Sequence, residues 1–289
     1  MVLDVPLILQ ALVNGVLMGS IYALVGIGLA LIFGVMNIVN FAHGSLMMAA
    51  MYLSYWLFVS LKVDPYLSML ATIPFLFFFG LLIEKWLIER VIDAKHSIQI
   101  LLTVGLSLFL DNLALALFTP DFRAISVSYQ TASLVLGGII ISYPQLIAFL
   151  LALGMTFALY FFIKKTMTGK AIRATSVEKE GAILVGINSR RIHYLTFGIG
   201  SACVGAAGAA VLPFFYCSPN VGYAFVIPAF VVVVLGGMGN FWATFVGGLI
   251  VGVAESLGAI FVPGSLKQMV MFIIFVLVLF FKPRGLFSK

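Results

Sequence analysis

The chain has 289 residues, of which 63% are hydrophobic and 9% charged, with a formal net charge of +6. A soluble domain carries about 25% charged residues, so a water-soluble fold of this size is excluded for want of polar surface. The basic excess does not call for nucleic acid, because in so apolar a chain Lys and Arg set membrane orientation.

The chain opens with a charge-free stretch from Val5 to Leu61, in which His43 is the sole ionisable group besides tyrosines. A spanning helix needs about 20 apolar residues. The stretch therefore holds two crossings, over 7–33 and 41–60. Further spans are expected over 66–84, 97–118, 143–163, 192–212, 225–262 and 266–281. The expected fold is all-α. It is one membrane helix bundle over 1–289, with about eight spans, a broken or re-entrant segment and a short cytoplasmic helix within 164–191. No basic region precedes the first span, so no removable signal peptide is expected. The stretch 225–262 is too long for one crossing, and Gly236, Gly237 and Gly239 make a poor helix interior there.

Lys and Arg collect in joints on the cytoplasmic side. Segment 164–193 carries Lys164, Lys165, Lys170, Arg173, Lys179, Arg190 and Arg191, and the tail adds Lys282, Arg284 and Lys289. Joint 85–96 has Lys85, Arg90 and Lys95, with acids among them. By contrast, 119–142 has only Arg123 and 213–224 has no basic residue. These counts place the C-terminus inside and the N-terminus outside. That requires an odd number of crossings, which the eight segments provide if 225–262 crosses twice and turns near Gly237.

Polar groups within spans are costly and usually face a partner or an aqueous path. Asp111 and Glu255 lie within spans and could line a route or relay protons; a carboxyl neutralised by a neighbouring helix is the plainer alternative. Asn37, Asn40 and His43, spaced by three in the uncharged joint after the first span, would share one face of a helical turn. Two readings stand: a broken helix beside a substrate path, or a polar knot that joins helices. A short echo links Gly34-Val35-Met36-Asn37 to Gly237-Met238-Gly239-Asn240. Small residues recur at packing intervals: Gly15 and Gly19; Ser201, Gly205 and Ala209; Gly248, Gly252 and Ser256. Cys203 and Cys217 have neither redox nor zinc spacing. No catalytic set, cofactor motif or metal cluster is expected, so the chain is not read as an enzyme.

The largest polar feature is 168–188, whose imperfect apolar stripe suits a helix lying on a membrane surface or in a partner's groove. Within it Glu180-Gly181-Ala182 and Gly186 are close to the Glu-Ala-Ala…Gly loop by which permeases of ATP-binding-cassette importers engage their ATPase. Gly169–Ala174, Phe33–Gly44, Leu235–Asn240 and Gly248–Ser256 also resemble the branched-chain amino acid permease family of such importers, by size its shorter, H-type member. The likeness runs from about residue 14 to residue 256. It departs at Gly181, which replaces the triplet's second residue, and at Asp111, where an uncharged amide is expected.

The resemblance implies a transport subunit in a heterodimer with a second permease. Two cytoplasmic ATPases would drive it, and an extracytoplasmic binding protein would deliver leucine, isoleucine, valine or a related small solute. Gly169, Arg173, Glu180, Ala182 and Gly186 would couple to the ATPases. Asn37, Asn40, His43, Asp111, Asn240 and Glu255 are the candidates for the path. The chain lacks a GxxxxGK[ST] loop, since Gly169-Lys170 is followed by Ala171 and has no upstream glycine. Energy must come from another protein or from an ion gradient. The alternative is a proton-coupled secondary transporter that uses Asp111 and Glu255.

Overall fold

Apolar residues surround most of the long segments on every side, so helices form that lack a polar stripe and suit lipid or the interior of a bundle. The computed structural model describes residues 5–237, 239, 241–262, 266–282 and 285–286. Within them the helices are α1 (Val5–Met36), α2 (His43–Leu61), α3 (Met69–Trp86), α4 (His96–Phe118), α5 (Tyr143–Lys165), α6 (Met167–Val177), α7 (Lys179–Leu184), α8 (Ser189–Val211), α9 (Tyr223–Gly236), α10 (Phe241–Phe261) and α11 (Lys267–Phe281). Among the described residues seven helical segments are long and apolar enough to cross a membrane, while α9 and α11 are apolar but shorter.

The segment expected over 225–262 is two helices. α9 stops at Gly236, Gly237 adopts a φ of 85°, and α10 returns beside α9. A Cβ on Gly236 would lie 2.6 Å from the Thr244 Cα, and one on Gly247 3.1 Å from the Val232 carbonyl oxygen. At 1.5 Å per residue α9 is about 21 Å long, short of the ~30 Å of hydrocarbon. It is therefore a partial span, prolonged by the irregular segment 212–222.

A small strand pair joins the all-α frame. β1 (Ser133–Leu136) and β2 (Ile139–Ser142) pair antiparallel across Gly137 and Gly138, whose φ values are 56° and 87°. Two successive left-handed residues form the tight hairpin turn for which Gly-Gly is suited. Gln10 at the start of α1 clips this hairpin: its Nε2 donates to the Ile140 carbonyl and its Oε1 accepts from the Ile140 N–H, both at 2.7 Å. On the same face the Tyr129 hydroxyl donates to Asp64 at 2.7 Å, Tyr66 to the Pro144 carbonyl at 2.8 Å, and Arg123 pairs with Cys217 through the backbone. Burial, then the Asp64 carboxylate, raises both the Tyr66 and Tyr129 phenols above their ordinary value.

α1 forms the axis, with α5, α8, α9 and α10 packed around it. Lipid tails supply no hydrophobic drive between helices, so close backbone approach must hold them. The small-residue ladders do this within the chain. A Cβ on Gly15 would fall 2.5 Å from the Val253 Cα, one on Gly19 2.7 Å from the Gly248 carbonyl, and one on Gly252 2.3 Å from the Gly15 carbonyl. Gly205 fits against Thr72, whose Oγ1 donates to the Gly205 carbonyl at 2.9 Å, and Gly80 faces Ser201.

The packing is reciprocal. α2 and α3 lie on α8, while α9 and α10 lie on α1. Gly28 and Gly200 touch mutually, each with a would-be Cβ 2.7–2.8 Å from the other's carbonyl, and Gly44 and Gly222 do the same at 2.5–2.6 Å. α1–α4 and α8–α11 thus form two interlocked four-helix halves, with α5–α7 between them. α1 starts at the hairpin face and α8 at the opposite face, so the halves run in inverted directions. The echo at Gly34 and Gly239 is a contact rather than a repeat: a Cβ on Gly34 would lie 3.1 Å from the Gly239 Cα.

The tight contacts predict opposite outcomes for two glycine substitutions, read from the thermal unfolding midpoint of the solubilised protein. Gly252→Ala should destabilise by about 1–3 kcal/mol through overpacking. Gly105→Ala, which meets nothing within 4 Å, should be neutral or stabilise by up to about 1 kcal/mol.

Candidate functional site

Irregular backbone in an apolar interior needs partners, because lipid offers none. Two such stretches meet in this fold: 37–42 between α1 and α2, and 212–222 between α8 and α9. Their junction is the Gly44–Gly222 contact. The first stretch is not helical, so Asn37, Asn40 and His43 do not share a helix face as their spacing suggests. Asn37 takes a left-handed φ of 55°, ends α1 with an N–H donated to the Phe33 carbonyl at 2.8 Å, and is exposed. Asn40 and His43 are fully buried. The His43 Nε2 lies 3.1 Å from the Val25 carbonyl. Its Nδ1 and both Asn40 amide atoms have no hydrogen-bond partner among the described residues. The Val39 carbonyl is satisfied from α4 by the Thr103 hydroxyl at 2.9 Å.

Asp111 sits at this junction. The hydroxyls of Ser45, Ser107 and Tyr223 face its carboxyl, and Ser45 and Ser107 bond each other at 2.8 Å. Ser45 lies in the first turn of α2 and Tyr223 opens α9. First-turn side chains of two helices therefore reach one acid, and the start of a helix favours negative charge nearby. Glu255 belongs to a different cluster. It accepts a hydrogen bond from the Tyr22 hydroxyl at 2.7 Å, beside a cavity of about 160 Å³ that Asn14 and Ser256 also line. Asn240 lies outside the described residues, as do Arg284 and Lys289 of the basic tail.

Glu84 escaped the sequence reading because it closes its span. It is fully buried in α3, and neither carboxyl oxygen has a hydrogen-bond partner among the described residues.

The polar segment 164–191 folds as α6, α7 and the start of α8. The Thr166 side chain caps α6 by accepting from the Gly169 N–H at 3.0 Å. Gly169 is where the chain turns back against α5, since a Cβ there would lie 2.4 Å from the Phe162 carbonyl. Gly186 ends the segment with a φ of 88°. Ala182 is buried. Gly169, Ala182 and Gly186 thus shape the segment, whereas Arg173 and Glu180 are exposed. Arg173 also lines a cavity of about 460 Å³ between α1, α5, α6 and the turn into α10. Two ion pairs tie the segment to the α3–α4 joint: Lys179 with Asp93 at 3.5 Å, and Arg190 with Glu89, which also accepts from the Tyr194 hydroxyl. Val177 and Leu184 are 85% and 87% exposed on this face.

Residues 11–279 match the family described as branched-chain amino acid transport system / permease component. The chain belongs to that family. It is 33% identical to the high-affinity branched-chain amino acid transport system permease protein BraD of Pseudomonas aeruginosa, over 97% of this chain and 96% of that protein. It is 31% identical to the corresponding permease protein LivH of Escherichia coli K12 over the same shares, and 26% identical to a probable branched-chain amino acid transport permease protein LivH of Methanocaldococcus jannaschii over 84% of this chain and 79% of that one. No solved structure matches. The chain is a multi-pass membrane transport permease.

The Asp111 cluster predicts a graded response. Asp111→Asn keeps a polar group for the surrounding hydroxyls and should cost no more than about 1 kcal/mol. Asp111→Leu leaves them unpaired and should cost about 1–3 kcal/mol. Stepwise unfolding of the solubilised protein checks the order.

Proposed function

We propose that the chain is the pore-forming subunit of an ATP-driven importer of leucine, isoleucine, valine or a related small solute, and that it hydrolyses nothing itself. Its partners are a second permease, two cytoplasmic ATP-binding-cassette ATPases and an extracytoplasmic binding protein. The N-terminus lies outside the cytoplasmic membrane and the C-terminus inside, so α6 and α7 face the cytoplasm. The relatives' names support the solute class.

The observation that carries the reading is the surface of α6–α7. Exposed Val177, Leu184 and Val185 stand there among Lys179 and Glu180. Exposed apolar side chains grouped on a short charged segment mark a protein contact. The same segment is anchored to α1, α5 and α8, so a pull on it reaches the spans. ATP binding draws the ATPases together, α6–α7 follows, and the path between the permeases changes its accessible side. Asn40, His43 and Glu255 lie nearest that path, with Asn37 at its coupling-side end; Asp111 braces the helix breaks, and Asn240 stays a candidate on its sequence position alone.

The test is substrate-stimulated ATP hydrolysis by the complete complex in proteoliposomes. Glu180→Ala and Leu184→Asp should each lower stimulation by about tenfold or more, as expected when a central contact is lost, with assembly of the permease pair intact. Unchanged stimulation removes this segment from the coupling route. Uphill uptake by the chain alone, abolished by a proton uncoupler, would instead establish the proton-coupled alternative.

A further inference from the structure

A second cavity, of about 370 Å³, opens on the α6–α7 side of the bundle. It lies where the α3–α4 joint, the end of α1, the junction of α6 and α7, and the start of α8 converge. Asp93 and Glu178 supply acid to its wall, and Lys179, His96 and His193 supply base. His193 is only 5% exposed, lines this space, and its Nε2 has no hydrogen-bond partner among the described residues. α4 also begins in the wall, and its N-cap residue Lys95 makes no side-chain cap. The Ile98 N–H already donates to the Lys95 carbonyl at 2.9 Å, which leaves the His96 and Ser97 N–H groups for a carboxylate.

We infer that this cavity binds a small aliphatic amino acid as its zwitterion and so reports accumulated product to the coupling segment. The choice of solute rests on the function proposed above; the site itself rests on the cavity. The carboxylate goes to His193, Lys179 and the start of α4, and the ammonium to Asp93 and Glu178. Val35, Met36, Ile92 and Val177 form the apolar part of a wall that also carries Gln99 and Thr175, and they accept the aliphatic side chain. The bond between Lys179 and Asp93 is long, at 3.5 Å, and its Asp93 side chain is 86% exposed. Such a pair holds weakly, and a zwitterion can take both ends of it.

Other occupants fit less well. A phosphate would meet Asp93 and Glu178. A divalent metal lacks its ligand set, since no group of three His, Cys, Asp or Glu converges among the described residues. A bound zwitterion would brace α6–α7 against α4 and α8 and oppose the tilt that ATP binding demands. Product on this side should therefore slow ATP hydrolysis.

The test is calorimetric titration of the solubilised complex, without its binding protein, using L-leucine, leucinamide (no carboxylate) and 4-methylpentanoate (no ammonium). Leucine should bind at one site on this chain, and each analogue should bind at least about tenfold more weakly through loss of one charged contact. Asp93→Asn, on an exposed side chain, and His193→Gln should each weaken leucine by about tenfold or more, while Asp121→Asn, exposed in the loop on the hairpin side, should not. In proteoliposomes whose ATPases face the bath, leucine in the bath should slow hydrolysis, and Asp93→Asn should relieve that. Equal binding of the three ligands overturns the inference. So does leucine binding that Asp93→Asn leaves intact. A complex that transports leucine without binding it here overturns this inference alone; one that does not transport leucine overturns the substrate class beneath it.

Discussion

Backbone-to-backbone contact along α1 is the constraint on which the other features depend. In lipid, two helices gain little by hiding apolar side chains from each other, and they must instead come close enough for many weak contacts to add. Gly15, Gly19, Gly28, Gly248, Gly252 and Gly200 permit that approach. Once α8 and α10 are fixed against α1, α3 follows through Gly80 and Gly205, and the placement of α2 and α9 follows from the Gly44–Gly222 contact.

That contact also explains why two broken segments survive inside a membrane protein. Each break exposes peptide groups that hydrocarbon cannot satisfy. The Thr103 hydroxyl serves the first break at the Val39 carbonyl, the Arg123 backbone serves the second at Cys217, and Ser45, Ser107 and Tyr223 gather around Asp111 where the two meet. Asp111 therefore looks functional in the sequence, yet its surroundings are those of a brace. Glu255 lines a cavity and accepts from the Tyr22 hydroxyl, which keeps it a candidate for contact with solute.

Long apolar runs were readable from composition because a span is set by length and hydropathy alone. The helices begin and end within a few residues of the expected bounds, and the break near Gly237 followed from glycine content. The cluster of basic residues in 164–191 also marked the polar stretch that folds as α6 and α7. Four things were not legible. The spacing of Asn37, Asn40 and His43 suggested a helical face, but the chain there climbs as irregular backbone, which periodicity cannot detect. The β1–β2 hairpin was hidden because its residues are apolar on both faces, although Gly137-Gly138 was a usable turn signal. Glu84 lay at a span edge, where an acid excites no suspicion until its burial is seen. The pairing of the ladders was open in sequence, since GxxxG spacing does not name its partner helix.

The inverted halves carry a consequence for membrane insertion. The packing of α1 on α9 and α10 mirrors that of α8 on α2 and α3, so this central packing by itself marks neither face as the top. Whatever decides which way the chain is threaded during synthesis must sit in the parts that break the symmetry. Those are the joint at 85–96 and the connector formed by α6 and α7, where the lysines and arginines gather. The connector that distinguishes the two faces for a motor partner would then also be the address label that the translocation machinery reads.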